Sequence, residues 1–462
     1  MVAAAPSVLR RYAAPFAAFA LLGALLVGIA ARPAGGIEFP VTNTNDSGAG
    51  SLRQAIADAE TTAGDDVVVV QPGLGTITLT SGTIFYGVGA LGTLTVQGNG
   101  VTVDANGAST AIDNDSLTLA NLDGITFTGA TGNAVNSTVG GLLITNSTFT
   151  GNDRAANTNS GALQILDSVI TGNTGNFDMV NTNSGALVIT RTQIVDNAGN
   201  AGNTASGEVT ISRSVLSRNQ NRGFNTATGN VTLIETELDE NGGPGLNSGG
   251  GELTVIRSTI SNHEYDGSGA GINSVGPVVL VNSTVSNNTA VDAGGGIDSD
   301  VGVTLVYSTV VDNAAPEGAN IRADALTTFG SVIALPQGGG DNCFLFSPTT
   351  TNGFNYSDDA LCGLSGTGDT ENGANPQLGP LADNGGPLPT LTRAPALTSP
   401  LVDAIPVADC PFDGVTTDER TVARPQGPGC DIGAVELTVV TPPPPAGGGA
   451  PQPVAVRPRL TG

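Results

Sequence analysis

The sequence has no lysine, no tryptophan and one histidine, and aromatic residues make up only 4% of its 462 positions. Acidic residues outnumber basic ones 41 to 16, which gives a formal net charge of -25. A nucleic-acid-binding protein needs a stripe of basic residues that displaces counterions, so this composition excludes nucleic acid as a partner. One histidine and four scattered cysteines are too few for a clustered zinc site. Charged residues, at 12%, are too sparse for a helical bundle.

The N-terminal segment is apolar and predicts export. Arg10 and Arg11 precede an apolar run from Ala13 to Ala31, and small residues follow, which is the layout of a secretory signal over residues 1–36. The run is long for such a signal, so an uncleaved N-terminal anchor is the alternative. The mature chain has no other run that is long enough to span a membrane. Residues 438–462 are rich in Pro and Gly and predict a tail outside the fold.

The cysteines, Cys343, Cys362, Cys410 and Cys430, all lie in the C-terminal third of the chain. Four cysteines in an exported protein allow three pairings. The pairings Cys343 with Cys362 and Cys410 with Cys430 are favoured, because each closes a short loop rich in Gly and Asp. Disulfides persist in oxidising compartments, so we predict a secreted or cell-surface protein.

The middle of the chain repeats itself every 21 to 25 residues. Eight apolar positions mark the units: Phe149, Ile170, Ile194, Leu216, Leu238, Ile260, Val285 and Val310. Aliphatic residues stand seven and five positions before each of these, and Ser or Thr stands two before. Three positions after the mark stands an asparagine in every unit but one, where His263 replaces it; these asparagines are Asn152, Asn173, Asn197, Asn219, Asn241, Asn288 and Asn313. A degenerate earlier unit is centred on Phe127.

One unit predicts two short strands and a turn, and it is too short to bury its own core. Stacked units can do so if each strand pairs with its counterpart in the next unit. We therefore predict an all-β fold, a right-handed parallel β-helix over residues 101–335, in which the repeated asparagines form a ladder of amide hydrogen bonds.

The two ends of such a rod expose unpaired strand edges, which require capping elements. Ser51 followed by Gln54 has the spacing of a capping box, and apolar residues then fall on one face of a helix predicted at about 51–61. Residues 37–100 are expected to supply this cap and the first irregular turns. The disulfide-containing residues 336–437 are expected to form a separate C-terminal domain.

Two resemblances accompany this pattern. The segment Phe149-Thr-Gly-Asn152 with Ser160-Gly-Ala-Leu163 resembles the repeats of polymorphic outer-membrane proteins. The segment Asn375-Pro-Gln-Leu-Gly-Pro-Leu-Ala-Asp-Asn-Gly-Gly-Pro387, with Cys430-Asp-Ile-Gly-Ala-Val-Glu436, resembles the "choice-of-anchor Q" domain, which follows β-helix repeats and precedes surface anchors. The sequence Asp418-Glu-Arg-Thr421 departs from it, because the family usually has Asp-Gln-Arg-Gly there. The resemblance implies surface location and no defined reaction.

Three groups of residues are candidates for chemistry. His263 is either a rung of the ladder or, with Glu264 beside it, a general acid or base. Arg213 belongs to a column of arginines. This column either binds a polyanion or is a solvated face on which Glu235 reduces the repulsion between neighbouring arginines. Asp298 is the third catalytic candidate. With two further aspartates it also offers hard oxygen ligands for calcium in a Gly-rich loop; the three are Asp292, Asp298 and Asp300.

These patterns favour a non-catalytic, monomeric, secreted or surface-displayed β-helix that is adhesive, glycan-binding or structural in the envelope, with a polysaccharide or cell-surface ligand as partner. The alternative is a polysaccharide lyase or hydrolase of the pectate-lyase-like fold with an atypical site. The motifs of polygalacturonases are missing, since one of them needs a lysine. No cofactor is implied, and calcium is the one ion for which ligands are present.

Overall fold

The computed structural model describes residues 36–87, 92–386 and 389–438. The predicted export signal, up to residue 35, and the predicted tail, from residue 439, lie outside these ranges. Within them, no helix is long and apolar enough to cross a membrane.

The chain winds into a parallel β-solenoid in which each coil adds one short strand to each of three faces. Faces 1 and 2 are joined in a sheet of 25 strands, and face 3 is a sheet of 12 strands. The aliphatic columns of the sequence pair in register, as in Leu163 with Leu187 on face 1 and Ile170 with Ile194 on face 2. The predicted parallel β-helix is therefore confirmed.

The strands of the faces have the following bounds. Two long strands cross faces 1 and 2: Leu94–Asp104 and Ala120–Thr128. The other strands of face 1 are Glu38–Val41, Asp66–Val70, Leu142–Thr145, Leu163–Leu166, Leu187–Thr190, Val209–Ser212, Val231–Ile234, Leu253–Ile256, Val278–Val281, Val303–Val306, Leu326–Phe329 and Thr350–Thr351. Those of face 2 are Thr76–Thr78, Thr148–Phe149, Val169–Thr171, Gln193–Val195, Val215–Ser217, Glu237–Asp239, Thr259–Ser261, Thr284–Ser286, Thr309–Val311, Val332–Ala334 and Tyr356–Ser357. Face 3 contains Ile84–Tyr86, Ile112–Asn114, Asn133–Ser137, Arg154–Thr158, Val180–Thr182, Gly202–Thr204, Phe224–Thr226, Leu246–Ser248, Ile272–Ser274, Ile297–Ser299, Ile321–Ala323 and Cys343–Leu345. Two short pairs lie outside the faces: Glu264–Tyr265 with Thr289–Ala290, and Ile405–Pro406 with Gly429–Cys430.

The corner between faces 1 and 2 uses left-handed backbone in successive coils. Its residues have φ between 45° and 54° and are Asn146, Asp167, Arg191, Arg213, Glu235, Arg257, Asn282 and Tyr307. Such a conformation costs about 1 kcal/mol or more for a residue other than Gly. It points the side chain outward, so equivalent residues of adjacent coils stack, and opposite charges there pair along the rod.

The predicted asparagines stack inside the corner that follows face 2. A side-chain amide donates to the next side-chain oxygen of the ladder, over 2.9 Å from Asn219 to Asn241 and 3.1 Å from Asn152 to Asn173, and Asn241 donates to a ring nitrogen of His263 instead. The amide also donates to a backbone carbonyl of the preceding coil, as Asn219 does to Ile194 at 2.9 Å. This inner ladder continues through Asn320 and Asn342, beyond the last repeated unit of the sequence.

Helix α1, Leu52–Glu60, covers the N-terminal end of the rod with its buried Leu52 and Ile56. Ser51 caps it, accepting a hydrogen bond from the backbone N–H of Gln54 at 3.2 Å. The reciprocal half of the predicted capping box is absent. The side-chain amide of Gln54 donates to Asp58, one turn further on, because that carboxylate is a stronger acceptor within reach.

The solenoid continues past residue 336 for one more coil, which lacks the repeated columns and ends with Tyr356–Ser357. Both predicted disulfides, Cys343–Cys362 and Cys410–Cys430, are confirmed. The chain then turns back, and Leu401 and Ile405 pack against outward side chains of faces 1 and 2 in a second apolar cluster.

Candidate functional site

His263 lies fully buried within the inner ladder. Its Nε2 is 3.1 Å from the side-chain amide of Asn241, and its Nδ1 is 2.9 Å from Oδ1 of Asn288. The ring therefore accepts from Asn241 and donates to Asn288 as a neutral imidazole. Burial lowers the pKa of His263 to about 4. A ring enclosed in this way cannot exchange a proton with a substrate at the surface.

The arginine column lies at the corner between faces 1 and 2, and carboxylates pair with it. Arg191 contacts Asp167 at 2.6 Å, while Arg213 and Arg257 contact the two oxygens of Glu235 at 2.7 and 2.5 Å. Burial would raise the pKa of Glu235, but hydrogen bonds from the two arginines lower it. The charges thus offset one another along the column.

Beside Arg191 and Arg213, a shallow cleft of about 480 Å³ separates the rod from Gly386 and Pro389 of the returning chain. The cleft lies outside the corner, and its guanidinium groups already have carboxylate partners. It is therefore a weak site for a polyanion.

Asp298 lies in the middle of the face-3 strand Ile297–Ser299. Arg322 of the next coil contacts Asp298 at 2.6 Å and Asp300 at 3.9 Å. These two carboxylates thus share one guanidinium, while Asp292 lies on an exposed loop. In the described part of the chain, no group of three or more His, Cys, Asp or Glu side chains could hold a metal ion. Asp298 and Arg213 are on different faces, several coils apart, so they do not form one site.

The most regular surface of the molecule is a second column of asparagines, which points outward from face 3. It occupies the position before the last residue of successive strands, where each asparagine is half-buried: Asn136, Asn157, Asn181, Asn203, Asn225 and Asn247. Each side-chain amide donates to the side-chain oxygen one coil before, over 2.6 to 2.9 Å; the first of these acceptors is Asp113. We call this column the outer amide ladder.

The outer amide ladder has unused hydrogen-bonding capacity on its solvent side. An asparagine amide carries two N–H donors and an oxygen with two lone pairs. The ladder consumes one donor and one lone pair per rung. The inner rungs, Asn157, Asn181, Asn203 and Asn225, therefore each keep one neutral donor and one neutral acceptor, whereas the oxygen of Asn136 also accepts from Asn133 at 3.3 Å. Successive rungs are about 4.8 Å apart.

The outer amide ladder was not predicted from the sequence, although its signal is present there. In every unit from Asn136 to Asn247, the asparagine stands six positions before the first aliphatic column. Asparagine beside Gly and Ser is typical of turns. This local composition favours a turn over a strand at these positions, although the asparagines are regularly spaced. The structure places these asparagines on strands instead.

No family model and no curated protein matches the chain. Among solved structures, it is similar to the crystal structure of pectate lyase Pel9A, with 16% identity and a TM-score of 0.37 over 87% of this chain and 97% of that chain. It is also similar to the A-module of the Azotobacter vinelandii mannuronan C-5 epimerase AlgE6, with 13% identity and a TM-score of 0.27 over 66% of this chain and 94% of that chain. At these identities and TM-scores, neither likeness assigns a reaction or a ligand to this chain.

Proposed function

We propose that the protein is secreted or surface-displayed and binds an extended polysaccharide without cleaving it. The outer amide ladder carries this proposal. Sugar hydroxyls both donate and accept hydrogen bonds, and the ladder offers one donor and one acceptor at each inner rung, from Asn157 to Asn225. Because the same amide group repeats along the rod, the ladder can bind successive units of a polymer that lies along the rod axis.

The positions of the catalytic candidates support binding rather than cleavage. A general acid or base must lie within hydrogen-bond reach of the proton that it transfers, so an acid and a base that act on one sugar linkage must lie close together. His263 is buried in the rod, Arg213 lies at the corner of faces 1 and 2, and Asp298 lies on face 3. These three residues therefore offer no common reaction centre.

Export and display are part of the proposal because the sequence predicts an N-terminal signal and its C-terminal region resembles a "choice-of-anchor Q" domain. Two disulfides support an oxidising compartment outside the cytoplasm. In this proposal, polymorphic outer-membrane-type repeats present face 3 to the ligand, and the C-terminal region links the rod to its point of attachment.

The test is a combined binding and product assay with the purified protein. Affinity electrophoresis in gels containing neutral or acidic polysaccharides measures binding, and new reducing ends or unsaturated-sugar absorbance measure cleavage, with and without calcium. We expect retardation by a neutral polysaccharide without product. The double variant Asn203→Ala/Asn225→Ala should weaken binding about tenfold, which equals loss of about 1.4 kcal/mol, whereas Thr171→Ala on face 2 should not.

Two results would contradict the proposal. Absence of binding to any polysaccharide would remove its basis. Product that disappears in Arg213→Ala or Asp298→Ala would establish the lyase or hydrolase alternative and locate its site.

A further inference from the structure

The C-terminal end of face 3 has two exposed aromatic side chains in a protein that has few. The outward column continues from the asparagines through Asp298 and Arg322 to Phe344, which are in register on successive strands. Phe344 is 40% exposed and Phe346 is 60% exposed. Their rings meet edge to face, with centroids 5.3 Å apart and planes at 81°.

The Phe346 ring is covered in part by a cation and borders a cavity. The guanidinium of Arg322 lies over the ring, 5.2 Å from its centroid, and is held there by Asp298. Phe346 also lines a shallow cavity of about 360 Å³, together with Pro348, Leu361 and others. The Cys343–Cys362 disulfide ties the last strand of face 3 to the loop that carries Leu361, so both walls of the cavity are fixed.

We propose that Phe344, Phe346 and the adjoining cavity, which we name the aromatic end, form a subsite on which one ring of a neutral sugar stacks. This inference rests on the proposed function and adds the point at which the polymer is anchored. An aromatic face matches the apolar C–H face of a pyranose ring. The exposed Asp300, beside Arg322 at 3.9 Å, supplies an acceptor for hydroxyls at the ring's edge.

Continuity with the outer amide ladder favours a sugar over a protein partner. The aromatic end lies in the same column as the ladder, beyond Asn273, Asp298 and Arg322. One extended chain that stacks on Phe346 and passes these three positions therefore reaches the amides. A second copy of this protein is the other occupant that an exposed aromatic pair could take. Two copies, each with a formal charge of -25, repel one another. A small exposed aromatic patch contributes too little binding energy to overcome this repulsion.

The protein has no tryptophan, so Phe346→Trp places a single indole at the subsite as a fluorescent reporter. The probes are cellotriose, xylotriose, mannotriose and maltotriose, which are neutral and too short to span the rod. We expect at least one of them to shift the indole emission in a saturable way. The matched control is Phe85→Trp, because Phe85 is 54% exposed and lies in the same column at the opposite end of face 3. Its emission should not change.

Phe346→Ala completes the test, because its side chain is exposed and its loss leaves the core intact. In affinity electrophoresis, this variant should bind the polysaccharide that retards the wild-type protein about tenfold more weakly, as expected for an aromatic residue that dominates a contact. Unchanged binding, or an equal response from both reporters, would overturn the aromatic end and leave the proposed function standing. Wild-type protein that binds no polysaccharide would overturn both. Sedimentation that shows self-association abolished by Phe346→Ala would assign the patch to a second copy instead.

Discussion

His263 replaces an asparagine in the inner ladder at the expense of acid stability. Protonation would remove the lone pair that accepts from Asn241 and would place a charge in the core. The unfolded ring titrates near 6.5 and the folded ring near 4. Between these values only the unfolded state binds the proton, so stability that is present above the upper value is lost as pH falls. The loss amounts to about 3 kcal/mol.

We therefore predict that His263→Asn keeps or raises the melting temperature at neutral pH and loses less of it on acidification than the wild type. Thermal unfolding followed by circular dichroism at neutral and mildly acidic pH measures both effects. A clear fall in the neutral melting temperature would show that the ring makes a contribution that an amide cannot replace.

Glu419 is a buried carboxyl that joins the C-terminal region to face 2. Thr284 Oγ1 lies 2.6 Å from one of its oxygens, and Thr259 Oγ1 lies 3.0 Å from the other. Thr259 has one hydroxyl proton and a nearer acceptor, the carbonyl of Leu391 at 2.6 Å. The second contact therefore needs a proton on Glu419, and burial raises its pKa well above 4.5.

The sign of this shift predicts a stability that falls as pH rises. Above 4.5 the unfolded carboxyl ionises while the folded one keeps its proton, so unfolding free energy declines by about 1.4 kcal/mol per pH unit up to the folded pKa. Glu419→Gln keeps a neutral group of the same shape and should remove this slope, and so be more stable than the wild type at alkaline pH. Urea unfolding at a series of pH values above 4.5 measures this pH dependence of the unfolding free energy. Parallel pH profiles for the two proteins would refute the protonated state of Glu419 in the folded protein.

At the scale of the element, the two ladders share a geometry and differ in burial. Asn219 of the inner ladder is buried and bonded to Ile194 and Asn241, whereas Asn225 of the outer ladder faces solvent. We predict that Asn219→Ala costs about 2–3 kcal/mol, because it leaves buried polar groups without partners, and that Asn225→Ala costs less than about 1 kcal/mol, because water replaces the amide. Urea unfolding of both variants measures the difference, and equal losses would mean that the outer ladder also supports the fold.

The sequence predicted the apolar strands and the inner ladder, which repeat, and missed the outer amide ladder and the contacts that do not repeat. Regular apolar spacing was enough to place Leu163 opposite Leu187 one coil later, because every coil buries aliphatic residues at the same positions. The outer amides were equally periodic, but asparagine beside Gly and Ser is also typical of turns. The contact of Arg322 with Phe346 and that of Glu419 with Thr284 involve residues of the non-repeating C-terminal region. No period encodes them, so they became visible only in three dimensions.

At the scale of the whole molecule, charge separates the two surfaces that could meet a polysaccharide. The outer amide ladder is neutral, and its hydrogen bonds are short-range, so added salt should leave them unchanged. The arginine column could attract an acidic polymer only against the long-range repulsion of a protein with a formal charge of -25. We therefore predict that affinity for a neutral polysaccharide stays constant within about twofold as ionic strength rises through and above ~0.15 M. Affinity electrophoresis at several salt concentrations measures this, with an acidic polysaccharide run in parallel. Binding to the acidic polymer that is strong at low salt, weakens as salt is added and disappears in Arg213→Ala would place the ligand in the cleft beside the arginines and not on face 3.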